Sequence, residues 1–263
     1  MMRWHRALRV LPVMFLLAAC DASNVTEPQT GQIKIFLVDS PADFDQVNVV
    51  VDRVEVHSAS ADSGSGWFVV NENAGTHDLL KLRNGVTGLL GDAALPAGHY
   101  TQIRLLVGSG SNVVVGGQPY SLTIPSGQQT GVKLNHPFVI EGGKLYELTL
   151  DFDADRSIKA MGGNRYTMVP VIRLQANVVS GTVSGVVQPV VAKPIVWTVA
   201  GIDTVSTKAD PTSGAFKLMA MPEGTYTVRV APAVTTFRDT TITGVVVTKR
   251  QDKNLGAITL SLK

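Results

Sequence analysis

The sequence predicts an all-β protein made of two β-sandwich-type domains, and three observations support this prediction. From Gly31 onward, apolar residues recur with a period of two almost throughout, which is the spacing of half-buried strands. The chain of 263 residues contains 25 glycines and 13 prolines, and this supply of turn residues favours many short strands over long helices. With 44% hydrophobic and 17% charged residues, the chain as a whole is folded rather than disordered.

The charge balance limits the classes of partner. The 23 basic and 21 acidic residues give a formal net charge of +2, whereas a nucleic-acid-binding protein normally shows a clustered basic excess. Residues 1–19 hold three arginines and no acids, so the chain from Cys20 onward has 20 basic against 21 acidic residues and a formal charge of −1. We therefore expect no nucleic-acid partner.

The N-terminus has the pattern of a bacterial export signal. Arg3, Arg6 and Arg9 precede an apolar run at positions 10–19, which is too short for the roughly 20 residues of a membrane-spanning helix. The run ends in Leu-Ala-Ala-Cys, which resembles the lipobox of bacterial lipoproteins, and Cys20 is the single cysteine of the chain. The alternative is a plain signal in which Cys20 is an ordinary small residue.

These features predict a lipid-anchored protein of the cell envelope, on the periplasmic or the cell-surface side. Residues 1–19 are the predicted lipoprotein signal peptide, Cys20 is the predicted lipidation site, and residues 20–30 are a polar tether. The acyl chains on Cys20 contribute about 0.8 kcal/mol per buried CH₂, which gives a stable membrane anchor. An acylated Cys20 leaves no thiol for a disulfide, a zinc site or a nucleophile.

Residues 31–178 are predicted to form the first β domain. The valines at positions 47, 49 and 51 share one face of a strand, whereas Val54 and Val56 have the opposite parity. A bulge near residues 52–53 would turn both sets inward, because a shift of one residue moves every later side chain to the other face.

Glycines mark the turns of this first domain. The Gly-Gly pairs at 116–117 and 142–143 lie between apolar runs and predict hairpin turns, which need positive φ. Residues 78–90 are rich in leucine and are the one segment that could hold a short helix, although two glycines limit its length. Asp39 and Asp43 flank Pro41, and we expect them to cap a turn there.

A boundary is predicted near residues 179–181, followed by a small Greek-key sandwich over residues 181–263. This segment has no cysteine, so its core packing alone must hold it together. Seven β-rich runs separated by turn residues are typical of such a sandwich. The runs are residues 182–187, 195–200, 203–208, 215–219, 226–230, 240–248 and 257–260.

One short motif occurs in both halves of the chain. Residues 96–101 and 222–227 share the pattern Pro-x-Gly-x-Tyr-Thr, and an alternating strand follows each of them. Proline and glycine shape the turn, and the tyrosine is expected to enter the strand with its ring on the core and its hydroxyl bonded to nearby backbone. We interpret the motif as one turn used twice rather than as a ligand site.

Residues 31–175 resemble the bacterial domain of unknown function 4382. The resemblance implies an envelope lipoprotein, in agreement with the lipobox, and implies no mechanism. The segments that carry it are GQIKIFLVDSPADFD (31–45), residues 51–57, LPAGHYTQIRL (95–105), IPSGQQTGVKL (124–134), LDFDADRSI (150–158) and VPVIR (169–173).

Residues 181–263 are similar to the prealbumin-like, carboxypeptidase-regulatory class of sandwich, which is grouped with carbohydrate-binding-like folds. The motifs that carry this resemblance are Gly-Thr-Val-Ser-Gly-Val from Gly181, Ser-Gly-Ala-Phe from Ser213 and Pro-Glu-Gly-Thr-Tyr-Thr-Val from Pro222. Such modules recur as non-catalytic accessories, so the resemblance implies a fold rather than a particular ligand.

The strongest candidate for site chemistry is the acidic row Asp151, Asp153 and Asp155. If the strand continues through all three, their carboxylates lie on one face about 7 Å apart, and such a row needs a cation opposite it. That cation could be Ca²⁺, which favours carboxylate oxygens, or one of the basic side chains at positions 156, 159 and 165. Nearby side chains are the favoured interpretation, so we predict no bound metal, no cofactor and no catalytic residue.

Two classes of function remain open at this point. The favoured one is a non-catalytic binding or interaction module for an envelope polysaccharide or an envelope protein, and the other is an enzyme, for example a metal-dependent one near Asp151. Aromatic side chains on a concave sheet would favour sugar binding, and Trp67 and Trp197 are the candidates, although the run at 195–197 is more typical of a core. Buried acid pairs with perturbed pKa values in a cleft would favour catalysis.

Overall fold

The computed structural model describes residues 29–62, 64–125 and 130–263, so the predicted signal peptide and Cys20 lie outside the described residues. Strands account for 64% of the structure and helices for 6%, which confirms the all-β prediction. Within the described ranges, no helix is long and apolar enough to cross a membrane.

Thirteen strands lie in the described residues before position 177. They are β1 (Thr30–Ser40), β2 (Gln46–Ser58), β3 (Trp67–Asn71), β4 (Gly75–Asp78), β5 (Gly88–Pro96), β6 (Gly98–Val107), β7 (Asn112–Val115), β8 (Gln118–Thr123), β9 (Val132–Ile140), β10 (Leu145–Asp153), β11 (Ile158–Ala160), β12 (Tyr166–Met168) and β13 (Ile172–Ala176). A single α-helical turn, α1 (Ala154–Ser157), joins β10 to β11, and a 3₁₀ turn (Leu79–Lys81) precedes β5.

Seven further strands follow. They are β14 (Ser180–Gln188), β15 (Pro194–Ala200), β16 (Asp203–Lys208), β17 (Ala215–Pro222), β18 (Gly224–Pro232), β19 (Thr240–Val247) and β20 (Asp252–Thr259). Two 3₁₀ turns (Asn177–Val179 and Val190–Ala192) lie before and after β14. These strands correspond to the seven runs predicted from the sequence.

The first sandwich, β1–β13, packs a four-stranded sheet against a nine-stranded one. The four-stranded sheet has the order β13-β10-β1-β5, and β1 and β10 run parallel while the outer pairs are antiparallel. The larger sheet has the order β11-β12-β8-β7-β2-β6-β9, and β3 and β4 also pair with β2. Ile33, Ile35 and Leu37 point from β1 into the core between the sheets and are almost fully buried.

In the long strand β2, a bulge keeps the apolar side chains on both sides of it facing the core. The pairing of β2 with β6 shifts register between Val51 and Arg53, which confirms the predicted bulge. Because Asp52 is taken up by the bulge, Val51 and Val54 both lie in the core despite their opposite parity. Val56 follows Val54 inward on the same face.

The turn predictions are confirmed at one Gly-Gly pair and wrong at the other. Gly116 and Gly117 both have positive φ and close the hairpin between β7 and β8. Gly142 and Gly143 instead connect β9 in the larger sheet to β10 in the smaller one, so they form a crossover between sheets. The segment at 78–90, which could hold a short helix, forms a single 3₁₀ turn at Leu79–Lys81 and then enters β5.

The second sandwich, β14–β20, packs the sheet β17-β14-β20 against the sheet β16-β15-β18-β19. Val183, Phe216 and Leu218 from the first sheet meet Val196 and Val228 from the second in a core that is separate from the first one. The structure thus has two hydrophobic cores. The division into two domains at residues 179–181 remains a prediction about independent folding.

Both copies of the shared motif form the expected turn. The Tyr100 hydroxyl donates to the carbonyl of Pro96 at 2.9 Å, and the Tyr226 hydroxyl donates to the carbonyl of Pro222 at 2.8 Å. Each tyrosine lies four residues after the carbonyl that it binds, so each ring spans the turn before its strand.

Candidate functional site

The acidic row is divided between a strand and a helix. Asp151 lies on β10, but the strand ends at Asp153, whose side chain accepts a hydrogen bond from the backbone N–H of Arg156 at 2.9 Å and caps α1. Asp155 is already inside α1. The prediction that Asp151, Asp153 and Asp155 share one face is therefore wrong, because the chain turns into a helix after Asp153.

The cation opposite Asp151 is Arg173, which the sequence analysis did not propose. Arg173 is the register partner of Asp151 on β13, and its Nη2 donates to the Asp151 carboxylate at 2.8 Å. Both side chains are about nine-tenths buried. Of the basic side chains proposed from the sequence, Arg156 contacts Asp153 at 4.0 Å.

Arg173 also joins the two sandwiches. Its Nη1 donates to the carbonyl of Ala220 at 2.8 Å, and its Nη2 lies 3.5 Å from the carbonyl of Met219, both on β17 of the second sandwich. The guanidinium therefore links a carboxylate of the first sandwich to backbone acceptors of the second. We call the contacts around Asp151 and Arg173 the junction.

Asp39 is a second buried carboxyl group at the junction. It is 4% exposed, one of its oxygens accepts from the Ala154 N–H at 3.3 Å, and Oδ2 has no partner among the described residues. Burial raises the pKa of Asp39 well above its usual range, and the nearby Asp151 adds to this effect. Burial also raises the pKa of Asp151, although Arg173 counteracts the increase.

Asn84 provides a separate polar contact between the sandwiches. Its side chain donates to the Lys208 carbonyl at 2.8 Å and accepts from the Thr207 hydroxyl at 2.8 Å. The Lys208 ammonium forms an ion pair with the exposed Asp43 at 2.7 Å. Asp39 and Asp43 thus bind partners distant in sequence, and the prediction that they cap a turn at Pro41 is wrong.

A groove of about 470 Å³ opens beside the junction, and we call it the junction groove. It lies between the outer face of the four-stranded sheet and the sheet β17-β14-β20 of the second sandwich. Its lining includes side chains from both, namely Phe36, Glu147, Thr149, Asn177, Thr182, Lys217, Met219, Arg250, Gln251 and Asp252. By contrast, the space beside Asp39 and Asp151 measures only about 10 Å³.

Neither aromatic candidate lines the junction groove. Trp67 lies under the guanidinium of Arg104, whose Cζ is 4.0 Å from the ring centroid, and the ring of His57 approaches it edge-on at 4.9 Å. Trp197 is half-buried and faces outward beneath Arg229, at 5.1 Å. The expectation of a core position for Trp197 is wrong, because the alternation of β15 turns Val196 inward instead.

The described residues contain no group of three or more His, Cys, Asp or Glu side chains arranged to hold a metal ion. The acidic side chains at the junction are used for protein contacts, namely Asp151 with Arg173 and Asp153 with the helix cap. Sequence reasoning missed Arg173 and Asn84 because their partners lie 22 or more residues away and depend on strand register and on the docking of the second sandwich.

Comparison with solved structures finds similar β-rich proteins at low identity. One is the cohesin–X-dockerin complex of Acetivibrio cellulolyticus, with 27% sequence identity and a TM-score of 0.26. The match covers 31% of this chain and 58% of that chain. The TIE protein of Bacillus anthracis matches with 13% identity, 89% of this chain, 34% of that chain and a TM-score of 0.24. The minor pilin GBS52 of Streptococcus agalactiae matches with 12% identity, 88% of this chain, 96% of that chain and a TM-score of 0.24.

The chain therefore spans about three fifths of the length of the first of these proteins and about one third of the second. Similarity at these levels does not extend to function. No curated protein matches the sequence. The family model for the Domain of unknown function (DUF4382) matches residues 30–170, which is more than half of the chain and includes β1–β12. On this match, the protein belongs to the DUF4382 family.

Proposed function

We propose that this protein is a non-catalytic binding module, anchored to a membrane of the cell envelope through Cys20, in which the two sandwiches act as one unit. The observation that carries the proposal is the small volume of the spaces at the junction. Asp39 and Asp151 form a buried acid pair of the kind found in catalytic clefts, but the spaces that border them measure about 10 Å³ and, on the side of Asp151 and Asp153, about 40 Å³. These volumes are far below the roughly 300 Å³ of a small ligand site, so they hold no substrate.

The pairing of Asp151 supports the same proposal. A general acid or base needs a free carboxyl group within hydrogen-bond distance of the substrate. The Asp151 carboxylate is instead held by Arg173 and is 3.4 Å from the Ser40 hydroxyl. Its role is to keep the second sandwich attached to the first.

The two ends of β1 lie near different parts of the protein, and this fits an anchor at the N-terminal end. β1 starts at Thr30, next to the predicted tether, and its 11 residues span about 35 Å at roughly 3.3 Å per residue. The junction contacts lie near its other end, since Val38 is the register neighbour of Asp151. A lipid on Cys20 would then hold the Thr30 end near the membrane and present the second sandwich away from it.

Two measurements on the full chain test the proposal. The first is mass spectrometry and membrane fractionation of the exported protein, where we expect an acylated Cys20 and a loss of anchoring in Cys20→Ser. The second is a hydrolase substrate screen, where we expect no turnover. Turnover that is abolished by Asp151→Asn, with the fold intact by circular dichroism, would instead identify the runner-up function of an enzyme.

A further inference from the structure

The floor of the junction groove belongs to the first sandwich. Phe36 on β1 and Thr149 on β10 are register neighbours on the sheet face turned away from the first core. Glu147 precedes Thr149 by two residues and therefore lies on the same face. Phe36 is half-buried, so part of its ring faces the groove. The floor thus offers an aromatic surface beside a carboxylate.

The opposite wall belongs to the second sandwich. Lys217 on β17 forms an ion pair with Asp252 at 3.6 Å, and Asp252 also accepts a hydrogen bond from the Ser184 hydroxyl at 2.5 Å. Arg250 lies in the turn between β19 and β20, where its backbone adopts a left-handed conformation with φ of 59°. Its side chain is exposed at the groove.

Two charged groups of the groove have no partner among the residues that the structure describes. Thr149 donates to Asn177 at 2.7 Å, and Lys217 and Asp252 bind each other. The Glu147 carboxylate and the Arg250 guanidinium form no hydrogen bond or ion pair with any described residue. The floor therefore carries a free acceptor and the opposite wall a free set of donors.

The charge of the groove argues against an anionic ligand. The lining contains two acidic and two basic side chains, so its formal charge is zero. A site for a polyanion needs an excess of basic groups, as in phosphate recognition. The junction groove has no such excess.

The strand pairing at the floor leaves no edge for an extended peptide. Recognition by strand addition needs a free strand edge. The floor strands β1 and β10 are both paired on two sides, whereas β17 and β20 of the wall are edge strands of their sheet. A ligand on the floor is therefore recognised by side chains.

We propose that the junction groove binds a short stretch of an uncharged oligosaccharide, with the apolar face of one sugar ring on Phe36 and hydroxyl groups on Glu147 and Arg250. A neutral sugar combines an apolar C–H face with hydroxyl groups that both donate and accept hydrogen bonds, which matches this lining. The volume of about 470 Å³ is typical of ligand sites. The inference rests on the proposed binding function and adds the site and the ligand class.

The test is calorimetric titration of the full chain, purified in a zwitterionic detergent that carries no sugar. The probes are neutral hexasaccharides of glucose, xylose and N-acetylglucosamine, with a galacturonic acid hexasaccharide as the anionic comparison. The variants are Phe36→Ala and Glu147→Gln, and Glu72→Gln is the matched control because Glu72 is an exposed acid outside the groove. Glu147→Gln keeps the size of the side chain, so it remains informative if Phe36→Ala lowers stability.

We expect at least one neutral hexasaccharide to bind, about tenfold more weakly to Glu147→Gln, and with unchanged affinity to Glu72→Gln. Equal affinity for Glu147→Gln and wild type would overturn the site while leaving the binding function standing. Tighter binding of the galacturonic acid probe would overturn the ligand class, and absence of binding to every probe would overturn the whole inference. Shortened oligosaccharides in the titrated samples, detected by chromatography, would contradict the non-catalytic function itself.

Discussion

The same six-residue turn occurs in both sandwiches, but its tyrosine has different surroundings in each. In the first sandwich, Tyr100 is 3% exposed, its ring stacks on Phe138 at 5.3 Å, and Phe68 meets it edge-on at 5.9 Å. In the second, Tyr226 is half-buried and packs at the margin of the core. The hydroxyl contacts are nearly identical in the two copies. The turn is therefore fixed locally, whereas the burial of the ring depends on the strands around it.

The two cores also differ in the size of their buried side chains, which are larger in the first sandwich. The buried side chains of the first sandwich include isoleucine, leucine and the aromatic rings of Tyr100, Phe138 and Phe152. The second core relies mainly on valine and alanine, with Phe216 as its one fully buried aromatic ring within the described residues. Larger buried rings remove more apolar surface from water. We therefore expect the motif to contribute more to stability in the first sandwich than in the second.

The largest expected effect is the loss of the Tyr100 ring. Tyr100→Ala should lower the free energy of unfolding by about 3–5 kcal/mol, because it removes a buried aromatic side chain and leaves a cavity. Tyr226→Ala should cost clearly less, since that ring is already partly in water. Urea unfolding followed by circular dichroism measures both variants. Equal losses would contradict the comparison.

Arg173→Ala should lower the free energy of unfolding by about 3 kcal/mol, because it leaves Asp151 buried without its cation. The loss should fall on the junction, so amide hydrogen exchange should increase in β13 and β17 before it increases in either core. Arg229→Ala is the matched control, since it removes an exposed arginine that lies over Trp197. Uniform loss of protection across both sandwiches would show that Arg173 does not act at the junction.

The Asp39 prediction concerns pH. The pKa of Asp39 is raised in the folded protein above its unfolded value, so ionisation of the carboxyl group opposes folding. Stability should therefore decrease as the pH increases from about 4 through the pKa of Asp39 in the folded protein. Above that pKa the loss of stability should be complete. Asp151 and Asp153 face Asp39 and raise its pKa further, whereas Arg83 lowers it.

Asp39→Asn should remove this penalty and stabilise the protein at pH 7 by on the order of 1–2 kcal/mol, the usual cost of a buried unsatisfied group. At pH 4 the variant and the wild type should be similar. Thermal unfolding from pH 4 to pH 8 provides the measurement. A variant that is less stable than the wild type at pH 7 would show that the Asp39 carboxylate has a partner there.

The smallest expected effect isolates the hydroxyl groups of the shared motif. Tyr100→Phe and Tyr226→Phe each remove one hydrogen bond to a proline carbonyl and keep the ring. Each variant should lower the free energy of unfolding by about 1 kcal/mol. The two losses should agree more closely than the losses in the two alanine variants. A large difference between the two phenylalanine variants would mean that the turns are not equivalent.

Much of the fold could be predicted from the sequence because strand alternation and turn chemistry are local. The bulge in β2, the hairpin at Gly116–Gly117 and the seven strands of the second sandwich all follow from residues close in the chain. The crossover at Gly142–Gly143 could not be predicted, because the pairing of β10 with β1 depends on residues more than a hundred positions apart.

The candidate site was less predictable for the same reason. Asp151 was recognised as an acid that needs a cation, yet Arg173 becomes its partner only through the register of β10 and β13. The junction groove depends on how the second sandwich docks on the outer face of the smaller sheet. No local pattern around Phe36 or Arg250 indicates that arrangement.

The two sandwiches have separate cores and meet through a polar junction. The most direct test is to express residues 181–263 alone and to record its amide NMR spectrum and its urea unfolding curve. We expect dispersed amide resonances and a single cooperative transition, because the second core is complete within this segment. A fragment without dispersed resonances or β-type circular dichroism would contradict the claim.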